Sequence, residues 1–334
     1  MSPLCAALLL NCCAASAEPL ALPTQWEYTA PLVLPEKREA LPSHAQKDPT
    51  VVFADGRWHL FMTIKCADRT ITEYCSFARW EEADRAPRTV LDLADGKYWC
   101  APQVFFYRPH GLWYLIYQVG IPNSRKMWVA YSTTKNIADP KSWTRAQPAL
   151  DGGPTDPRTE GGLDYWMVAD DQRMYLFYTT DNGKLWRLST PLSQFPHGFG
   201  DLKLVYQGDI FEASHTYRLL GRDQWLTIIE SNPGGRRYYR ALVADRLDGD
   251  WTMLDAGEAK PFVGAANCHP AAGVAAWTDN ISHGELLRAA NDETLPVDPA
   301  NLQLLFQGAL QSEKAGVGYS AIPWRLGLAT PRRD

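Results

Sequence analysis

Three acidic residues open short apolar runs at well-separated points of the chain. Asp48 precedes Pro49-Thr50-Val51-Val52-Phe53, Asp164 precedes Tyr165-Trp166-Met167-Val168, and Glu212 precedes Ala213-Ser214-His215-Thr216-Tyr217. A bare carboxylate beside a buried strand is unfavourable unless it is exposed, paired or functional. Turn and capping roles explain single aspartates, but they do not explain three acids that recur at the same point of a repeated pattern. Brought together, three carboxyls suit hydrolysis of a glycosidic bond: one protonates the leaving oxygen and another activates water or attacks directly. A third, placed near the acid, raises its pKa by like-charge repulsion. Trp99, Tyr165, Trp166 and Tyr319 are candidates to stand beside the gathered acids and stack on sugar faces, although most aromatics of the chain must fill its core.

The elements that must position these acids are β-strands. A unit recurs in which a polar residue, a β-rich run, a Gly/Asp turn and an aromatic strand follow one another. Asp48 to Phe53 turns at Asp55-Gly56 into Trp58 to Met62, a strong hairpin signal. Ala101 to Phe106 turns at His110-Gly111 into Trp113 to Tyr117; Asp164 to Val168 turns at Asp170-Asp171 into Met174 to Tyr178; and Glu212 to Tyr217 turns near Gly221 into Trp225 to Ile229. A fifth, degenerate copy lies around His283 to Leu287 and Leu302 to Phe306. Further strand-like runs separate the copies, so each unit spans about 50 to 60 residues, enough for a four-stranded blade. The expected fold is all-β, a five-bladed β-propeller over residues 18–334, with Ile322 to Leu328 completing the last blade or pairing with the first and Leu20 to Leu34 supplying a matching outer strand. A β-sandwich does not explain the shared polar opening of each unit. Polar residues that open the inner strands of a propeller converge on one axial funnel.

Composition bounds the partners. The 334 residues carry 38 acidic and 33 basic side chains for a net charge of −5, with no long single-sign run, so nucleic acid and anionic membrane are poor partners. No stretch approaches the roughly 18 apolar residues of a membrane span. Residues 1–17 read as a secretory leader ending in Ala14-Ala15-Ser16-Ala17, which predicts a secreted or periplasmic protein. Of seven cysteines, four lie beyond that leader; Cys66 and Cys75 flank a polar turn and are either a local bridge or two buried thiols.

The chain resembles the α-L-arabinofuranosidases of glycoside hydrolase family 62. The likeness is carried in order by Lys47-Asp48-Pro49-Thr50, Ala101-Pro102-Gln103-Val104, Leu163-Asp164-Tyr165-Trp166, Phe195-Pro196, Phe211-Glu212-Ala213-Ser214, Arg236-Arg237-Tyr238-Tyr239, Ile281-Ser282-His283-Gly284-Glu285 and Pro323-Trp324-Arg325-Leu326-Gly327. The resemblance implies a five-bladed propeller that removes arabinofuranosyl side groups from arabinoxylan or a related polysaccharide with inversion; the protein is expected to be a monomer. By position, Asp48 matches the general base, Glu212 the general acid, and Asp164 the aspartate that sets and orients the acid. Lys47 looks like a sugar-hydroxyl contact; Trp99, Pro102, Gln103, Tyr319 and Arg325 are the other expected substrate contacts. His283 matches a histidine that helps hold a structural Ca²⁺, mainly through water. Ser320, where the family commonly has asparagine, Cys100, and the insertion-like stretch Arg69 to Trp80 depart from the pattern and put the polymer-binding rim in doubt. The rival readings are a family 43 type arabinanase or β-xylosidase, and a non-catalytic propeller that binds arabinose-bearing glycans.

Overall fold

Strand pairing in the computed structural model, which describes residues 20–124, 126–180 and 183–332, gives five antiparallel-based sheets that follow one another along the chain as propeller blades. The proposed leader lies outside the described residues. The first blade comprises Ser43–Ala54, Arg57–Cys66, Thr70–Phe77 and Arg88–Val90, and the second Trp99–Tyr107, Leu112–Gly120, Met127–Thr134 and Gln147–Pro148. The third comprises Leu163–Ala169, Arg173–Thr180, Lys184–Pro191 and Gly200–Gln207. The fourth runs from His215–Leu219 through Trp225–Ser231 and Tyr238–Ala244 to Thr252–Met253, with Pro296–Val297 added in parallel at the inner edge.

The fifth blade closes the ring. Its order from the axis outward is Asn280–Leu286, Leu304–Ala309, Arg325–Pro331, Trp26–Tyr28 and Cys268–Pro270. Both expectations for the chain ends are thus partly met: the C-terminal run joins the last blade, and the N-terminal segment supplies its outer strand, with Trp26 opposite Pro331 and Tyr28 opposite Ala329. Trp26 is fully buried, its indole Nε1 donating to the Phe262 carbonyl at 3.0 Å.

Turn chemistry follows the residues. Asp55 and Gly56 both have positive φ (51° and 74°), and Ala54 pairs with Arg57 across them, the two-residue hairpin that Asp-Gly favours. At the third blade, Asp170 Oδ1 accepts the backbone N–H groups of Gln172 and Arg173 at 2.8 and 2.7 Å, and this folds the chain back. The Cys66–Cys75 bridge does not form. The polar stretch between them is a hairpin turn, but register sets Cys75 opposite Leu60, six residues along the strand from Cys66, roughly 20 Å at strand rise. All four cysteines of the described residues are free and buried. The stretch Arg69 to Trp80 is no insertion: Thr70–Phe77 is the regular third strand of the first blade.

Apolar side chains fill the wedges between blades. Phe61, Ile64, Trp99, Leu115, Tyr117 and Trp143 pack between the first two, and Val51, Leu60, Met62, Leu305 and Leu326 between the fifth and the first. Nearer the axis the contacts are polar, and one position of each inner strand supplies them. Thr50 Oγ1 accepts the Val104 N–H at 3.2 Å. Gln103 accepts from Met167 N at 2.7 Å and donates to Met167 O at 2.6 Å. Trp166 Nε1 donates to Thr216 O at 2.9 Å, and His215 Nδ1 meets Gly284 O at 2.7 Å. The fifth link is ionic: Glu285 pairs with Arg288 at 2.6 Å, and that guanidinium donates to Val51 O and Val104 O. Each of the first four blades is therefore hydrogen-bonded to its successor by a buried side chain of its inner strand, and the fifth reaches the first through Arg288.

Candidate active site

Two residues before those links the inner strands break in the same way. Asp48, Ala101, Asp164 and Ala213 have φ of 46°, 52°, 54° and 55°, and pairing with the second strand shifts register at this point in the first three blades. A left-handed residue is unfavourable without glycine, least so for Asp, whose short polar side chain bonds locally. The break turns the backbone so that this residue and the one before it face the axis. Asp48 and Asp164 occupy the left-handed position itself, whereas Glu212 stands one residue earlier, before Ala213. The three carboxylates are thus not strictly in register, and the fourth inner strand starts at His215 rather than at Glu212.

All three line one axial cavity of about 300 Å³, with Lys47, Lys65, Thr70, Tyr98, Cys100, Gln118, Leu163, Phe211, Arg237, His283 and Tyr319. Asp48, 4 % exposed, lies 3.3 Å from Lys47 Nζ and 3.3 Å from His283 Nδ1, and its backbone N–H donates to Gln307 Oε1 at 2.9 Å. Burial opposes its charge, but Lys47 and His283, with a hydrogen bond from Thr63, outweigh burial and hold the carboxyl at about 2. Asp164 accepts the Ala213 N–H at 3.0 Å and lies 3.6 Å from His283 Nδ1. Burial, then Glu212 and Asp48, push its carboxyl well above the ordinary aspartate value. His283 is held below the usual imidazole range by burial, which outweighs the pull of Asp48. Glu212 has the most exposed side chain of the three acids, at 15 %. Its Oε1 accepts from Arg237 NH1 at 2.6 Å. The site therefore holds one fixed anion and one carboxyl that favours its proton, with a third carboxyl reaching toward the mouth.

Of the expected substrate contacts, Lys47 and Tyr319 line this cavity, the Lys47 ammonium lying 5.1 Å from the Tyr319 ring centre. Trp99, Pro102, Gln103 and Arg325 do not. Trp99 fills the wedge between the first two blades and donates to Leu91 O. Pro102 is buried in the break of the second inner strand, Gln103 makes the inter-blade clasp, and Arg325 is ion-paired with Glu313. Tyr165 and Trp166 are core residues, so the aromatic rings at the cavity are Tyr98, Phe211 and Tyr319. Gln118 and Arg237 went unassigned in the sequence, yet Gln118 Oε1 accepts the Asp164 N–H at 3.1 Å and its amide nitrogen contacts Tyr98 and Cys100. Cys100 faces this cavity as a thiol, its pKa pushed up to about 12 by burial and by Asp48.

Relatives bear on this geometry. Residues 25–330 match the model of glycosyl hydrolase family 62. A protein of Cellvibrio japonicus, Alpha-L-arabinofuranosidase C, is 36% identical over 317 residues, 92% of this chain and 47% of that protein, so the chain spans about half the length of the curated relative it matches. The catalytic domain of a Coprinopsis cinerea GH62 α-L-arabinofuranosidase is 36% identical with a TM-score of 0.84 over 92% of this chain and 97% of that one. A GH62 hydrolase in complex with xylotriose is 36% identical with a TM-score of 0.82, again over 92% and 97%. With the acids gathered on one propeller axis and the match running nearly end to end, the chain belongs to glycosyl hydrolase family 62.

Proposed function

We propose that the protein is an inverting α-L-arabinofuranosidase that removes arabinofuranosyl side groups from arabinoxylan or a related polysaccharide. The observation that carries this reading is the gathering of Asp48, Asp164 and Glu212 in one axial cavity, in three different environments. Asp48, ionised and fixed by Lys47, is the general base: it takes a proton from a water whose oxygen bonds to the anomeric carbon. Glu212, nearest the mouth, is the general acid: it gives its proton to the glycosidic oxygen as the carbon–oxygen bond breaks. Asp164, buried and carrying a raised pKa, orients the pair through the Ala213 N–H and His283. The cavity takes one terminal sugar, and the xylotriose held by a relative supports a xylan main chain across its mouth.

Around His283 the residues do not fit a directly ligated Ca²⁺. Calcium takes six to eight oxygens, whereas His283 offers nitrogen already turned toward Asp48 and Asp164, and no group of three or more His, Cys, Asp or Glu gathers for a metal among the described residues. An ion here would be held mainly through water, and a fall in melting temperature on chelation is its test. We also propose export as a monomer; no helix of the described residues is long and apolar enough to cross a membrane.

The deciding experiment incubates the protein with arabinoxylan, linear arabinan and arabinogalactan and follows the first product by NMR. Free arabinose from arabinoxylan, appearing first as the β-anomer, is expected. Appearance of the α-anomer first would refute inversion, and oligosaccharides from linear arabinan would indicate an arabinanase instead. Asp48→Asn and Glu212→Gln should each lower turnover by about 10²–10⁴ while sugar binding by calorimetry persists.

A further inference from the structure

Glu230 is the penultimate residue of the strand Trp225–Ser231 and is completely buried, so it touches no substrate. Its Oε2 accepts from Arg237 NH1 at 2.6 Å, and the same nitrogen donates to Glu212 Oε1 at 2.6 Å. Its other oxygen accepts the backbone N–H of His283 at 2.8 Å. The main chains are joined as well: Glu230 N donates to Glu212 O at 2.9 Å, and Phe211 N donates to Glu230 O at 2.6 Å. The guanidinium itself is packed against Phe211, Tyr319 and Trp324, 4.8 to 5.7 Å from their ring centres.

From this geometry we propose that Glu230 is a positioning residue for Glu212, acting through Arg237. The inference rests on the assignment of Glu212 as general acid. A buried guanidinium needs a counter-charge. While Glu212 carries its proton, Glu230 supplies that charge; once the proton has passed to the leaving oxygen, Arg237 accepts the new Glu212 carboxylate without moving. Burial raises the Glu230 carboxyl and Arg237 opposes that rise, as this shared arrangement requires. Removing the Glu230 charge leaves Arg237 with Glu212 as its sole anionic partner, which favours the spent form of the acid.

The test exploits leaving-group dependence, because a defect in proton donation disappears when the leaving group needs no proton. Glu230→Gln is assayed on arabinoxylan and on aryl arabinofuranosides whose phenols range from weakly to strongly acidic, beside wild type and Glu212→Gln. The expected result is a loss of about ten- to a hundredfold in kcat/KM on arabinoxylan, up to the lower end of the 10²–10⁴ that general acid catalysis supplies, shrinking to under about threefold on the dinitrophenyl substrate. Equal loss on every substrate, or none on any, overturns the proposal. If Glu212→Gln itself lacks leaving-group dependence, the acid assignment fails instead. Should Glu230→Gln not fold, Arg237→Lys, which keeps the charge but ends short of the bridging nitrogen, decides on the same series by the same criteria.

Discussion

Asp48 and Asp164 are the same residue type at equivalent positions of two blades, and their surroundings drive them apart. Both are buried, which alone would protonate both. Lys47 at 3.3 Å reverses this for Asp48, while at Asp164 the weaker pull of Lys47 and the Ala213 N–H do not offset burial and two acidic neighbours. Removing Lys47 therefore has a signed consequence. In Lys47→Met the downward pull on Asp48 is lost and the upward push of burial remains, so the base becomes ionised only at higher pH. The acid limb of the kcat/KM profile should move upward by at least about one unit, and an unmoved limb would show that Lys47 does not set the charge of Asp48. The three acids were legible because each stands beside an apolar run where an acid is out of place. Glu230 carries the same signature after Trp225-Leu226-Thr227-Ile228-Ile229, but at the end of a second strand rather than the start of a first, where repeat alignment gave no reason to look. Arg237 stood in a quoted motif without a role, since only the fold brings it between two acids distant in sequence.

At the scale of the strand, what positions the site is a left-handed break followed two residues later by a buried link to the next blade. Hairpins and inner strands could be read from alternation and turn residues. The break could not, because alanine at 101 and 213 carries no left-handed signal. The same gap explains Gln103 and Trp166, polar or amphipathic side chains that sequence places near the funnel and the structure assigns to inter-blade bonds. Gln103→Ala would strand both the N–H and the carbonyl of Met167 in the interior. The expected cost is about 1–3 kcal/mol for each group left unpaired, read as a lower urea midpoint with an unchanged slope. A large rise in KM with stability intact would instead restore Gln103 as a substrate contact.

Over the whole molecule, closure depends on three residues near the N-terminus hydrogen-bonded to the last strand. Trp26 is the anchor of that seam, fully buried against Phe262. Trp26→Ala should lower stability by about 3–5 kcal/mol, seen as a lower melting temperature; a surviving wild-type melting curve would mean the ring holds without its seam. Five blades were countable from the repeats, but which end closes the ring was not, because either terminal segment has the composition of an outer strand. Register now fixes the direction of both ends. Asn280 near the cavity pairs with Ala309, Gly308 with Arg325, and the last strand runs away from the cavity toward Pro331, where Trp26 begins. Gln25 and Arg332 thus lie side by side at the end of the blade away from Asn280, the Arg332 N–H donating to Gln25 O at 2.9 Å. A linker that leaves the folded ring at Gln25 and one that leaves it at Arg332 would therefore start from the same corner, remote from the catalytic mouth.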